Sequence, residues 1–591
     1  MRRLLKWIGG ILLVMLALIG VTVLIGAVAI GFGLREMAKF EHPTPEKAVL
    51  TLDIGDGLAE TTAGNPLVFA GFDKRIGLDD IVRGLAEAGR DPRIRGLVVK
   101  LGGGELNLAQ ASEIGAAVRE FRATGKFALA FAETFGEAGD GNTHYLLATA
   151  FDQIWMQPSG SLGLTGMRLE TPFLRSALAD LGIEPRMDRR REYKGAVDTF
   201  ISDAMPAPLR ENLQRLVDSL VAQIASAIAP RLEGDAAAAR ALIDRGPFLP
   251  ADALAARLVD RLGYWDEFES EVDSLSQDAE GYRLADYARG LEPAADGARV
   301  AIVYGLGPVM LGESDEDPLL DSWSMGAKTV SEAIREARLD PAVKAIIFRI
   351  DSPGGSYVAA DTIWREVDQA RRNGKPIVVS MGGMAASGGY FVAAPASLIV
   401  ADPTTITGSI GVFSGKFLLT GLWDKLGIRW DAVQAGTNAD MSSFNADYSP
   451  EGWAKLQAEL DRIYADFVGK VSAGRKLDPA AVEAIAKGQV WSGADAEANG
   501  LVDRLGGLGE AVKAVRELLG LAPDAAVALV PYPAHRDGFA ALFERFTGTR
   551  GLTGTVLELA AALREIRAML GLDRLAQNEP RLEMTPLRPA P

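Results

Sequence analysis

Residues 330–350 read VSEAIREARLDPAVKAIIFRI, and residues 81–101 read IVRGLAEAGRDPRIRGLVVKL. Both pass from a helical apolar pattern through an Asp-Pro pair (Asp91-Pro92, Asp340-Pro341) into a β-branched strand. The likeness continues outward at a spacing of about 250 residues. KAVLTLDIGDGL from Lys47 resembles RVAIVYGLGPVM from Arg299, and GKFALAF from Gly125 matches GKPIVVS from Gly374. SGSLG (Ser159–Gly163) matches TGSIG (Thr407–Gly411). LVDRLG occurs twice unchanged, at Leu258–Gly263 and Leu501–Gly506. The chain is a tandem repeat, with one unit expected at 47–270, a linker at 271–297 and a second unit at 298–519. In the second unit the pattern predicts strands at 299–304, 343–350 and 376–381, alternating with helices at 328–338, 357–372 and 387–394. That alternation makes right-handed βαβ units and a mostly parallel sheet flanked by helices, an α/β fold. Longer helices are predicted at Leu209–Ala229 and Pro450–Val471. The remainder, 520–591, is expected to hold a helix at Thr555–Met569 and a disordered tail from 578.

A chain of 591 residues, 48% hydrophobic, has ample material for two cores. The net charge of −16 argues against nucleic acid as the main partner, because phosphate binding needs a basic face. The absence of cysteine excludes disulfides, thiolate metal sites and a Cys nucleophile. A basic end at 1–6 (Arg2, Arg3, Lys6) precedes the uncharged run Trp7–Leu34. That run exceeds the ~20 residues a spanning helix needs. Ala27-Val28-Ala29 resembles a signal cleavage site, but the apolar run continues through it, so an uncleaved signal-anchor helix is expected. Arg35 and Lys39, offset by Glu36, leave the basic excess on the N-terminal side. The expected topology has a cytoplasmic N-terminus, with the remaining chain outside, in the periplasm of a Gram-negative cell.

Residues 375–411, KPIVVSMGGMAASGGYFVAAPASLIVADPTTITGSIG, read as a buried strand, a tight turn and a helix opening at or just before Ser387. A serine there would meet backbone N–H groups open to a developing anion. The same small residues would also let a helix pack closely on a sheet. The repeat separates the two readings. Matching Tyr145 with Tyr390 sets Asn142-Thr143-His144 against Ser387-Gly388-Gly389, and LGGGE (Leu101–Glu105) against DSPGG (Asp351–Gly355). Only the second unit has a serine followed by glycines, so the chemistry is assigned to it.

A serine hydroxyl needs a base. The three histidines are His42 beside the anchor, His144 in the first unit and His535 in the weakly patterned C-terminal region. Ala385, Ser387 and Gly389 fit a loose nucleophile elbow, which keeps an α/β-hydrolase with His535 as base in play. A buried lysine is the other kind of base. None of the 17 lysines follows a serine by three residues, so a lysine base must come from a distant part of the chain. Lys194, in REYKGAVDTF (Arg191–Phe200), has no lysine counterpart in the second unit, where Ala439 falls near its place. Arg189, Arg190 and Arg191 precede it, so the segment also reads as an exposed basic cluster. Lys416, in FSGKF, is the second candidate.

Four motifs, DSPGG (Asp351–Gly355), AASGGY (Ala385–Tyr390), TGSIG (Thr407–Gly411) and YKGAVDTF (Tyr193–Phe200), resemble the long form of the bacterial signal peptide peptidase A (protease IV) family. With the anchor and both repeats, the resemblance covers almost the whole chain. These are membrane-anchored Ser-Lys peptidases of family S49, in the Clp-protease/crotonase superfamily. The resemblance implies two tandem Clp-protease/crotonase-like domains, Ser387 as nucleophile, Lys194 as general base and Ser409 as the hydroxyl that holds the lysine. It implies an oxyanion hole from the backbone N–H groups of Gly388, Gly354 and Gly355, with no cofactor and no metal. The substrates it implies are signal peptides and other apolar peptides, and the assembly is a homotetramer. A crotonase-like acyl-CoA enzyme would share the fold and the glycine hole but has no need of an anchor. A non-catalytic membrane scaffold has no need of intact second-unit motifs.

Overall fold

The computed structural model describes residues 43–62, 74–137, 139–291, 297–317 and 322–533, with two short strands at Arg581–Glu583 and Arg588–Pro589. The expected anchor (7–34), the expected helix at Thr555–Met569, His42 and His535 lie outside the described residues. Among the described residues no helix is long and apolar enough to cross a membrane.

Both units share a parallel path of six strands in the same order, to which the second sheet adds Ile406–Gly408 beside Ile377–Ala386 and, antiparallel to it, Val490–Ser492. The first runs Glu280–Arg283, Ala48–Asp53, Ile94–Leu101, Phe127–Ala132, Gln153–Met156, Arg261–Leu262. The second runs Val527–Tyr532, Ala298–Leu306, Ala345–Ser352, Ile377–Ala386, Leu398–Ala401, Arg504–Leu505. Helices Ala327–Leu339, Tyr357–Arg372, Ala207–Ile228 and Pro450–Arg475 form where the apolar periodicity places them.

The repeated motifs are repeated hydrogen bonds. Lys126 Nζ donates to the carbonyls of Ala88 (2.5 Å) and Asp91 (2.6 Å), and Lys375 Nζ donates to those of Ala337 (2.9 Å) and Asp340 (2.6 Å). Each Gly-Lys pair thus ties a strand to the helix end that carries Asp-Pro. The Tyr145 hydroxyl donates to Leu258 O (2.6 Å), and that of Tyr390 to Leu501 O (2.9 Å). The carboxylates of Asp260 and Asp503 accept the amides of Ile154 and Ile399, each at 2.7 Å. LVDRLG therefore satisfies two donors in each unit, and a buried donor left unmade costs about 1–3 kcal/mol.

Residues 271–297 do not form a linker over their described part. Helix Trp265–Ser276 packs Phe268 against Phe131 and Trp155, and Glu280–Arg283 is the edge strand of the first sheet. Helix Leu284–Arg289 buries Leu284, Tyr287 and Ala288 in the first core. An edge strand held by its backbone on one side, with mostly exposed side chains, carries no apolar pattern. The half-buried edge strand Val527–Tyr532 likewise extends the second sheet beyond Leu519.

The units meet through more than backbone. Arg349, 2% exposed on the second sheet, donates to Glu60 (2.9 Å) and Glu113 (3.0 Å) of the first unit and to Ser380 (2.9 Å). On the other side, strand Glu184–Arg190 of the first unit pairs antiparallel with Val412–Leu418 of the second, setting Arg190 opposite Val412. That pairing carries the chain into the site.

Candidate active site

Strand Ile377–Ala386 pairs Met381 with Ile350 and Ala385 with Ser352, so extra residues bulge out at Gly382–Met384. The Asp351 carboxylate accepts the Gly383 amide (3.1 Å) and fastens this bulge. Burial, with Glu60 adding to it, pushes the Asp351 carboxyl up to about 7 against the pull of Arg349.

Ser387 follows the strand and precedes the short helix Gly388–Ala393, with φ 57° and ψ −114°. A non-glycine residue held there costs about 1–3 kcal/mol and persists only where its surroundings fix it. The Ser387 amide donates to Gly408 O (2.8 Å), and the Ser387 carbonyl accepts the Phe391 amide (2.8 Å). Glycine follows because space is short. A Cβ on Gly389 would lie 2.8 Å from Ser352 O, and one on Gly388 3.0 Å from Gly355 N.

Lys194 arrives from the other unit. Beyond Arg190 the Tyr193 amide donates to Lys487 O (3.1 Å), seating the loop on the second unit. Arg189 and Arg190 are partly buried and Arg191 is exposed, and each of the three has an acidic partner. Arg189 pairs with Asp198, Arg190 with Asp461, and Arg191 with Glu483 while stacking over Tyr464. Arg190 and Arg191 clamp the loop against helices Pro450–Arg475 and Pro479–Ile485, while Arg189 ties it to Asp198 within the first unit. Gly411 and Gly488 line the slot: a Cβ on Gly411 would lie 3.2 Å from Lys194 Cδ, and one on Gly488 2.4 Å from Lys194 N.

Lys194 Nζ ends 2.7 Å from Ser387 Oγ, 2.9 Å from Ser409 O and 2.9 Å from Ser409 Oγ. All three residues are buried, at 1%, 0% and 1% exposure for Lys194, Ser387 and Ser409. With N–H groups on the two Ser409 oxygens, a neutral amine can turn its lone pair to the Ser387 hydroxyl. The arrangement can take a proton from a serine, hold it and return it.

Gly354 (φ 98°) and Gly355 lie against Gly388. The Gly388 amide belongs to a first helical turn, which has no intrahelical acceptor. The Gly354 amide donates to Ser352 Oγ (3.2 Å). Strand Arg581–Glu583 runs antiparallel along Gly354–Ser356, pairing Glu583 with Gly354 and Leu582 with Gly355, and it lies between that strand and Val412–Leu418. An extended chain therefore fits beside the glycines.

Other candidates lie elsewhere. Lys416 is buried over the Tyr448 ring (4.2 Å) with Nζ on Asp440 O (3.3 Å), and burial pushes its amine down. His144 accepts from the Gly102 amide (3.3 Å) in the first unit. The registers Leu101↔Ala132 and Ile350↔Met381 shift the matching of the units by one residue, so Gly102, not Leu101, stands opposite Asp351. Sequence reasoning missed Asp351 as a structural tie, and it missed Glu60 and Glu113 as partners of Arg349. The lone Arg349 within a β-branched run was the available signal. Among the described residues no cluster of His, Asp or Glu is placed to hold a metal ion.

The profile of Peptidase family S49 matches residues 120–278 and 369–522, one stretch in each unit. The chain belongs to peptidase family S49. It is 36% identical over 462 residues to Protease 4 of Salmonella typhi, covering 75% of this chain and 72% of that protein. It is 32% identical over 473 residues to Protease 4 of Haemophilus influenzae, covering 77% and 75%. It is 27% identical over 472 residues to the chloroplastic serine protease SPPA of Arabidopsis thaliana, covering 78% and 68%. As a member of S49 the chain is a serine protease.

Proposed function

We propose that this S49 peptidase works by a Ser-Lys dyad, with Ser387 as nucleophile and Lys194 as general base. The single observation that carries the reading is the 2.7 Å contact between Lys194 Nζ and Ser387 Oγ, formed by residues 193 positions apart. Burial disfavours a charged amine, which favours the form that can accept a proton. Neutral Lys194 takes the Ser387 proton as Oγ bonds to the peptide carbonyl carbon. The resulting oxyanion is held by backbone N–H groups at Gly388 and the Gly354-Gly355 turn. Protonated Lys194, steadied by the two Ser409 oxygens, gives its proton to the departing amine. Water, deprotonated by Lys194, then cleaves the acyl-serine ester.

The fold is read as a pair of Clp-protease/crotonase-like domains, a reading supported by the six-strand path that the two sheets share. The substrates proposed are cleaved signal peptides and other apolar peptides, met at the outer face of the inner membrane by an enzyme anchored through Trp7–Leu34. The cleft beside Gly354–Ser356, which takes an extended strand, supports a peptide substrate. A homotetramer is proposed as the working assembly.

The test is hydrolysis of a fluorogenic apolar peptide by purified wild-type, Ser387→Ala and Lys194→Ala proteins. Both variants should be folded and inactive. Near-normal turnover by folded Lys194→Ala would reject the dyad, and an acyl-CoA activity that survives Ser387→Ala would favour a crotonase-like enzyme.

A further inference from the structure

The first unit lacks the nucleophile, yet it supplies more to the cleft than Lys194. Strand Arg581–Glu583 pairs antiparallel with Gly354–Ser356, and strand Arg588–Pro589 pairs antiparallel with Leu169–Glu170 of the first unit. From Glu583 to Arg588 is a reach of at most about 18 Å. One chain therefore reaches both edges.

The direction of that chain matters. It runs from Ser356 past Gly354, beside Gly388 and the nucleophile, before it meets Leu169–Glu170. A substrate laid the same way is attacked beside Gly354. Everything it carries beyond that point leaves with the amine. Met167, Leu169 and Phe173 of the first unit pack, partly buried, against the same apolar cluster as Met384 and Ile406 of the second, a cluster that includes Ala386, the residue before Ser387.

We propose that the Leu169–Glu170 edge of the first unit, with Met167 and Phe173, is a docking track for the leaving-group side of an extended apolar peptide. The proposal rests on the peptidase reading above. Backbone pairing at an open edge accepts many sequences, and the adjoining methionines adapt to different apolar side chains. The degenerate unit thus serves the reaction twice, through its base and through this edge. Strands Arg581–Glu583 and Arg588–Pro589 pair with the same two edges and so compete with a substrate for them.

The test uses the full-length enzyme and two fluorogenic peptides, identical before the cleaved bond and extending two or seven residues beyond it. The longer peptide should show a KM about tenfold lower at similar kcat, the gain that two backbone hydrogen bonds give in binding. Adjacent amides of a strand point to opposite sides, so Leu169→Pro with Glu170→Pro removes whichever of the two faces the peptide and should raise its KM toward that of the shorter peptide. As a check that needs no variant, a synthetic peptide of residues Glu579–Pro591 should inhibit wild type about tenfold more strongly than one of residues Glu579–Glu583. Equal KM values for the two substrates, or equal inhibition by the two synthetic peptides, would overturn the track while leaving the peptidase reading intact. Failure of wild type to cleave either substrate would instead reject the peptidase reading, and the track with it.

Discussion

Replacing Gly488 with alanine asks whether Lys194 works because of where its backbone sits. A methyl carbon on Gly488 would lie 2.4 Å from Lys194 N, 2.6 Å from its Cα and 2.7 Å from its Cβ. The two nearest atoms are backbone, so no rotamer change relieves the clash. Ordinary contact is about 3.5 Å, so the Lys194 main chain must retreat by about 1 Å. The Nζ–Oγ contact is 2.7 Å, and hydrogen bonds of this kind fade beyond about 3.2 Å. A misplacement of that size costs about 100-fold in kcat. The same substitution also forces alanine into φ +85°, a separate cost of about 1–2 kcal/mol in stability. Gly374 separates the two effects, because its φ is +77° but nothing lies within 4 Å of an added Cβ. Gly374→Ala should lose about 1 kcal/mol of stability and keep its kcat. The assay is kcat and KM on a fluorogenic apolar peptide, with Tm measured on the same preparations. A folded Gly488→Ala enzyme with kcat within about threefold of wild type would refute the reasoning.

Three further outcomes follow from the same geometry. Ser409→Ala removes one of the two oxygens that steady the protonated lysine, so kcat should fall about tenfold with KM unchanged, measured by steady-state kinetics. Arg349→Met leaves Glu60 and Glu113 together without their cation. Urea denaturation should show a loss of about 3–5 kcal/mol, partly restored by adding Glu113→Gln. The Asp351 carboxyl lies at about 7 in the fold, above its ordinary 3.8. The folded chain therefore keeps a proton that the unfolded chain has lost between about pH 4 and 7, so this group's share of stability grows as pH falls through that window and is gone above it. Asp351→Asn should flatten that slope, and denaturation curves at about pH 5 and pH 8 that shift in parallel with wild type would contradict the assignment.

The duplicated fold was legible because the duplicated motifs carry the same bonds. Asp-Pro with its downstream Gly-Lys, and LVDRLG with its tyrosine, each hold two elements together, so both units had to keep them. The edge strands Glu280–Arg283 and Val527–Tyr532 were not legible, since an edge needs backbone pairing and no apolar stripe. Ser387 was legible through contrast with Asn142. Lys194 was recognisable by resemblance, while its local sequence pointed to an exposed basic cluster. The acids that neutralise Arg190 and Arg191 lie some 270 to 290 residues downstream, at Asp461 and Glu483, and no local pattern reports them. The Glu60–Arg349–Glu113 contact was hidden for the same reason.

The central claim is that Ser387 of one unit is activated by Lys194 of the other. Its most direct measurement is the rate at which a fluorophosphonate labels the intact protein, with the adduct located by peptide mass spectrometry. Wild type should carry a single adduct on Ser387, and folded Lys194→Ala should label at least about 100-fold more slowly. An adduct on another serine, or undiminished labelling of Ser387 in Lys194→Ala, would contradict the account.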